Sequence, residues 1–133
     1  MLLKELATII KPGITKNTRT PSDVIALASN NITNTNGICF EEVRYVTPHP
    51  AKDAELIRHG DILAVIAGPD IGKIAVYGLP MKAVTTSSMV IIRPNNNSLE
   101  KKLKQLQARI MLLEPTGTTL PRITVKQLEN LEL

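Results

Sequence analysis

The stretch GPDIGK, residues 68–73, carries the residue types that cradle phosphates: two glycines, a carboxylate and a lysine between apolar runs. A phosphate-binding P-loop needs G-x-x-x-x-G-K-[ST], because four spacers wrap the phosphates and the hydroxyl holds magnesium. Here three residues separate Gly68 from Gly72, and Ile74, which has no hydroxyl, follows Lys73. The stretch also feeds a second β-branched run where a P-loop would open a helix. It therefore reads as a tight turn between two strands, at 61–67 and 71–77. The dinucleotide fingerprint G-x-G-x-x-G is missing as well. Lys73 keeps two readings, a contact to a nucleic-acid phosphate or a solvated cation on a strand edge.

The remaining reactive residues are too few and too scattered for catalysis or metal binding. One cysteine and two histidines, Cys39, His49 and His59, form no ligand set at helical or loop spacing. His49 lies between two prolines and reads as a surface loop residue. His59, just before Gly60, reads as a cation at a helix C-terminus, where the dipole favours it. Cys39 beside Phe40 reads as a small buried thiol. Glu41 and Glu42 are adjacent, so in a strand they point to opposite faces. No methyltransferase motif, nuclease cluster or G-x-S-x-G elbow is present. The sequence reads as a non-enzyme that needs no cofactor and no metal.

Composition narrows the partner. The 133 residues make one domain with a net charge of +4 and a pI of about 9.4. That balance suits nucleic acid or an acidic partner. Phe40, Tyr45 and Tyr77 are the whole aromatic complement. Modules that read single strands stack bases on aromatic rings, so a duplex is the better match. No apolar run approaches the roughly 20 residues that span a bilayer, and no signal-peptide pattern opens the chain. A cytoplasmic protein with no membrane partner is expected.

The elements that must position any site read as α+β. Apolar spacing over residues 2–10 predicts a short helix, stopped by Pro12 and Gly13. Strands are predicted at 23–28 and 38–47, then at 61–67, 71–77 and 84–93. The Asn-rich stretch 29–37 is built for turns. Residues 48–60 read as a loop with one or two helical turns. A helix is predicted over 98–113, capped by Ser98, with Leu99, Leu103, Leu106, Ile110 and Leu113 as a narrow seam. At 16 residues it spans about 24 Å and should pack on the domain's own sheet, with Lys101, Lys102 and Lys104 on a solvated face. Thr124 begins a last short helix.

Read in order, these pieces resemble one family. Asp61-Ile62-Leu63, then Gly68, then Ile71-Gly72-Lys73-Ile74-Ala75-Val76, then SSMVIIRPN at 87–95 are similar to the "GDIL…G.IGK.A…IRP" core of target-recognition domains in type I restriction–modification specificity subunits. The flanks at 3–13, 24–47 and 117–133 follow the same order. The resemblance implies a non-catalytic α/β-type domain that reads one half of a bipartite site in the major groove of double-stranded DNA. It also implies methyltransferase and restriction subunits as partners, in a bacterial defence against foreign DNA. Those subunits carry two such domains joined by long spacer helices, which this chain is expected to lack. A homodimer could then supply the second half.

Duplex recognition needs cations along phosphates and Arg, Lys, Asn, Gln, Ser or Thr at base edges. Three polar loops supply them. Lys16, Asn17 and Arg19 form the most basic, with Arg19 as the first choice for guanine. Asn30 and Asn31 could read adenine, and Thr85, Thr86 and Ser87 form a hydroxyl run. Arg122 belongs to a fourth loop, 116–122. Beside this reading stands another: an assembly module that binds restriction–modification subunits through the seam of 98–113 or the tail Leu128, Leu131 and Leu133. DNA binding should weaken steeply with salt, and an apolar protein interface should not.

Overall fold

A computed structural model describes residues 1–47, 55–117 and 120–133. His49 and most of the predicted helical turn before Gly60 lie outside the described residues. The described residues 55–60 are non-helical, so His59 sits in a turn and not at a helix end.

The chain is α+β, as its sequence suggests, with two four-stranded sheets. The helix expected over 2–10 is only one turn, α1 (Leu3–Leu6). The β-branched residues that follow form β1 (Ala7–Ile10). Next come β2 (Asn17–Thr18), β3 (Ile25–Leu27) and β4 (Arg44–Val46), the last being all that is strand in the predicted run 38–47. The pair β5 (Ile62–Val65) and β6 (Ile74–Val76) flanks the glycine turn. The single strand expected at 84–93 is two, β7 (Ala83–Thr85) and β8 (Met89–Pro94). They belong to different sheets, and a hydroxyl-rich turn closed by Met89 N–H to the Thr86 carbonyl (3.1 Å) carries the chain across.

The first sheet is antiparallel, in the order β1-β8-β5-β6. The second has the order β2-β4-β3-β7, with β3 and β7 parallel. Strand period puts Ile62, Ala64, Val90 and Ile92 on one face of the first sheet, packed with Leu99, Leu106, Ile110 and Leu128. Leu63, Val65, Met89 and Ile91 face the other way, onto Leu27, Ile32 and Ala83. Burial on both faces explains why these strands read as unbroken apolar runs.

The helix predicted over 98–113 begins later, as a 3-10 turn (Glu100–Lys102) leading into α2 (Leu103–Met111). Ser98 does not cap it. Its N–H bonds Asn96 Oδ1 (2.9 Å) while Leu99 drops into the core. The seam packs on the domain's own sheet, with Leu99, Leu106 and Ile110 fully buried. The last helix, α3 (Val125–Glu129), has the expected cap: Gln127 N–H donates to Thr124 Oγ1 (3.1 Å), and Thr124 N–H to Gln127 Oε1 (2.9 Å). Thr124→Ala should cost about 1 kcal/mol, read as a lower urea midpoint at unchanged slope.

The glycine turn has a structural job. Gly68 and Gly72 take φ of 85° and 98°, the left-handed region open to glycine. A Cβ on Gly72 would lie 2.5 Å from Met111 Cγ. Gln107 Nε2 donates to the Gly72 carbonyl at 3.0 Å, so the turn is docked on α2.

The two motif ends, Asp61 and Arg93, meet in space. Arg93 Nε and Nη2 donate to the two oxygens of Asp61 (3.0 and 2.8 Å), and Nη1 to Glu55 (2.7 Å). Asp61 also accepts from the Arg58 N–H at 2.7 Å and is only 2% exposed. These bonds, that to Asp61 foremost, push the Arg93 guanidinium above its ordinary, already high range.

Candidate nucleic-acid interface

A close backbone approach sets the site. Gly13 N–H donates to the Thr86 carbonyl (3.2 Å) and Ile14 N–H to the Thr85 carbonyl (3.0 Å), laying the segment after Gly13 along the end of β7. Only a residue without Cβ fits there, since a Cβ on Gly13 would lie 1.8 Å from the Thr85 oxygen. Beyond it, β2 pairs with β4, Asn17 opposite Val46 and Thr18 opposite Tyr45. These pairings enclose an open hollow of about 740 Å³ at one end of the second sheet.

Five of the residues expected to touch DNA line this hollow: Asn17, Arg19, Asn30, Thr86 and Ser87. They come from three segments far apart in sequence. Lys16 is exposed on the same loop as Asn17 and Arg19 without lining the hollow. Arg122 sits beside it and donates from Nη2 to the Ser87 carbonyl at 3.1 Å, which steadies the hydroxyl turn.

Two expectations need correction, and a third residue lies elsewhere. Asn31 is 1% exposed, and its amide is spent inside the fold. Its Oδ1 accepts from Ala28 N–H (2.9 Å), and its Nδ2 donates to the carbonyls of Cys39 (2.9 Å) and Glu42 (3.0 Å). It clamps two loops that border the hollow, and both of its amide hydrogens are spent there. Thr85 is buried in β7 under Gly13. Lys73 stands apart from the hollow, in the turn docked on α2, and pairs with Asp70 at 3.1 Å.

Thr15, Glu41, Glu42 and Arg44 also line the hollow and were missed. Reading 38–47 as one strand assigned the glutamates to opposite faces. In the structure the strand starts only at Arg44, and both glutamates fall in a bend at 41–42 that lines the hollow. An acidic pair just ahead of a strand's first cation was the available signal. Arg44 Nε donates to Asn17 Oδ1 at 2.8 Å. Among the described residues, Arg19, Arg44, Glu41 and Glu42 form no ion pair. The hollow thus offers free cations, side-chain amides, hydroxyls and carboxylates at one place. That mixture suits a ligand that carries both donors and acceptors.

Most of the apolar residues on which the assembly reading relied are buried, while Leu103, Leu113 and Leu133 are partly exposed. The seam residues Leu99, Leu106 and Ile110 lie in the core, as do Leu128 and Leu131 of the tail. No helix among the described residues is long and apolar enough to cross a membrane.

No family model matches this chain, and no curated protein matches it in sequence. Its fold does match solved structures. The HsdS subunit from Thermoanaerobacter tengcongensis superposes with a TM-score of 0.69 at 16% identity, covering 98% of this chain and 31% of that one. The S subunit of a type I restriction–modification system from M. genitalium gives 0.62 at 15% identity, covering 98% and 32%. A chain from a structure of type I restriction–modification complex assembly and conformational transition gives 0.69 at 16%, also covering 98% and 32%. The chain spans about a third of the length of these proteins. Over nearly its whole length it has the fold of part of a type I restriction–modification specificity subunit, and a target-recognition domain fits that fold.

Proposed function

We propose that this domain is a non-catalytic reader of double-stranded DNA that recognises one half of a bipartite site for a type I restriction–modification system. The observation that carries the proposal is the hollow. In a fold shared with specificity subunits, three segments bring Asn17, Arg19, Asn30, Thr86 and Ser87 to one end of a sheet. Cations there supply affinity through phosphates, and amides and hydroxyls supply discrimination at base edges. The net charge of +4 favours a polyanion, and the scarcity of aromatics favours a duplex over a single strand. Methyltransferase and restriction subunits would do the chemistry, in the cytoplasm.

Salt tests the proposal directly. Binding to a random duplex should weaken linearly on a log–log plot as salt rises, by counterion release. Arg19 is exposed and unpaired among the described residues, so Arg19→Ala should lower that slope by about 1. Binding that ignores salt would refute a DNA reader and return attention to protein partners.

A further inference from the structure

We infer that Arg44, not Arg19, is the guanine reader of the hollow, and that Asn17 is its positioning residue. The inference rests on the DNA-reading function proposed above. Arg44 opens β4, which is an inner strand of the second sheet with β2 on one side and β3 on the other. Sites built on strands hold their geometry better than sites on loops. Its side chain is half-buried, and Asn17 Oδ1 accepts the Nε hydrogen at 2.8 Å. That bond spends the inner nitrogen and leaves the two terminal nitrogens, which make no hydrogen bond among the described residues. A guanidinium fork held in this way is prepared for two parallel bonds to a planar acceptor pair. Arg19 sits on an exposed loop, makes no hydrogen bond among the described residues, and must be ordered on binding.

Two acceptor classes compete for such a fork, phosphate and the O6/N7 edge of guanine. Glu41 and Glu42 decide between them. Both glutamates line the same hollow as Arg44, and neither forms an ion pair with it among the described residues. Two acidic residues on the wall of that hollow disfavour a phosphate there more than a neutral acceptor edge. Guanine offers that edge in the major groove, and it is the commonest specific partner of arginine.

The test is selection from a randomised duplex pool with the wild-type chain, Arg44→Lys and Asn17→Ala. Lysine keeps the charge and loses the fork. Wild type should enrich a motif with a fixed G·C pair. Arg44→Lys should lose preference at that pair by about ten-fold or more, with the salt slope on random duplex unchanged. Asn17→Ala should weaken the same preference and no other position. A purely structural role for Asn17 would lower stability without singling out one base pair. If Arg44→Lys keeps the wild-type motif at full discrimination, or weakens all duplexes alike with a shallower salt slope, the assignment to guanine is overturned while the DNA-reading function stands. If wild type enriches no motif, both fall.

Discussion

Asp61→Ala is expected to cost about 3–5 kcal/mol of folding stability, enough to unfold much of a marginally stable domain. The carboxylate is 2% exposed and accepts three hydrogen bonds, two from Arg93 and one from the Arg58 backbone. Removing it strands a guanidinium that is itself only 17% exposed, with Glu55 as its remaining charged partner. The cost is mainly that of the uncompensated charge, not the worth of the pair. It follows that replacing both partners by apolar residues of similar size, Asp61→Leu with Arg93→Met, should cost less than the single change. Urea unfolding of the three variants measures this. A single variant within about 1 kcal/mol of wild type would show that Asp61 and Arg93 do not pin the sheet to the segment at 55–58.

Gly13→Ala should carry the second large effect, and on two readouts. The added Cβ would meet backbone, 1.8 Å from the Thr85 oxygen and 2.4 Å from its carbon, with no flexible side-chain end to yield. The segment after Gly13 must move off β7, which breaks the bonds to Thr85 and Thr86. A stability loss of about 2–3 kcal/mol is expected from the clash. The larger consequence is functional. The displaced segment carries Asn17 and Arg19 to the hollow, so specific duplex binding should be lost even in the fraction that stays folded. Full retention of both stability and specific binding would contradict the role given to this approach.

Much of the fold was legible because its strands are buried on both faces. Residues 61–67 and 71–77 could be read as apolar runs broken by a glycine turn, and the structure places β5 and β6 there. The capping pattern at Thr124 was equally plain, since it is local chemistry. Legibility failed where distant pairing overrides local spacing. Residues 7–10 keep a helical spacing but pair with β8, and no local signal reports that partner. Thr85 through Ser88 read as strand because threonine favours strands. Thr85 does end β7, but the chain changes sheets just after it, and Ser87 and Ser88 form the turn.

The site was legible in its parts and not in its assembly. Asn17, Arg19, Asn30, Thr86 and Ser87 could be nominated by residue type. Type alone could not tell Asn30, on the hollow, from its neighbour Asn31, locked inside by three hydrogen bonds. Nor could it find Arg44, which sits in a strand pattern and becomes a candidate only when β2 brings Asn17 to its Nε. Lys73 carried the most suggestive local motif and proved a component of a turn, paired with Asp70.

Titrating the isotopically labelled chain with a duplex, and following its amide NMR spectrum, locates the DNA on the fold. A duplex seated in the hollow at the end of the second sheet should shift residues 15–19, 30, 41–44 and 86–87, the four segments that meet there. Shifts confined to the exposed lysines of 101–104, or no shifts at all, would contradict it.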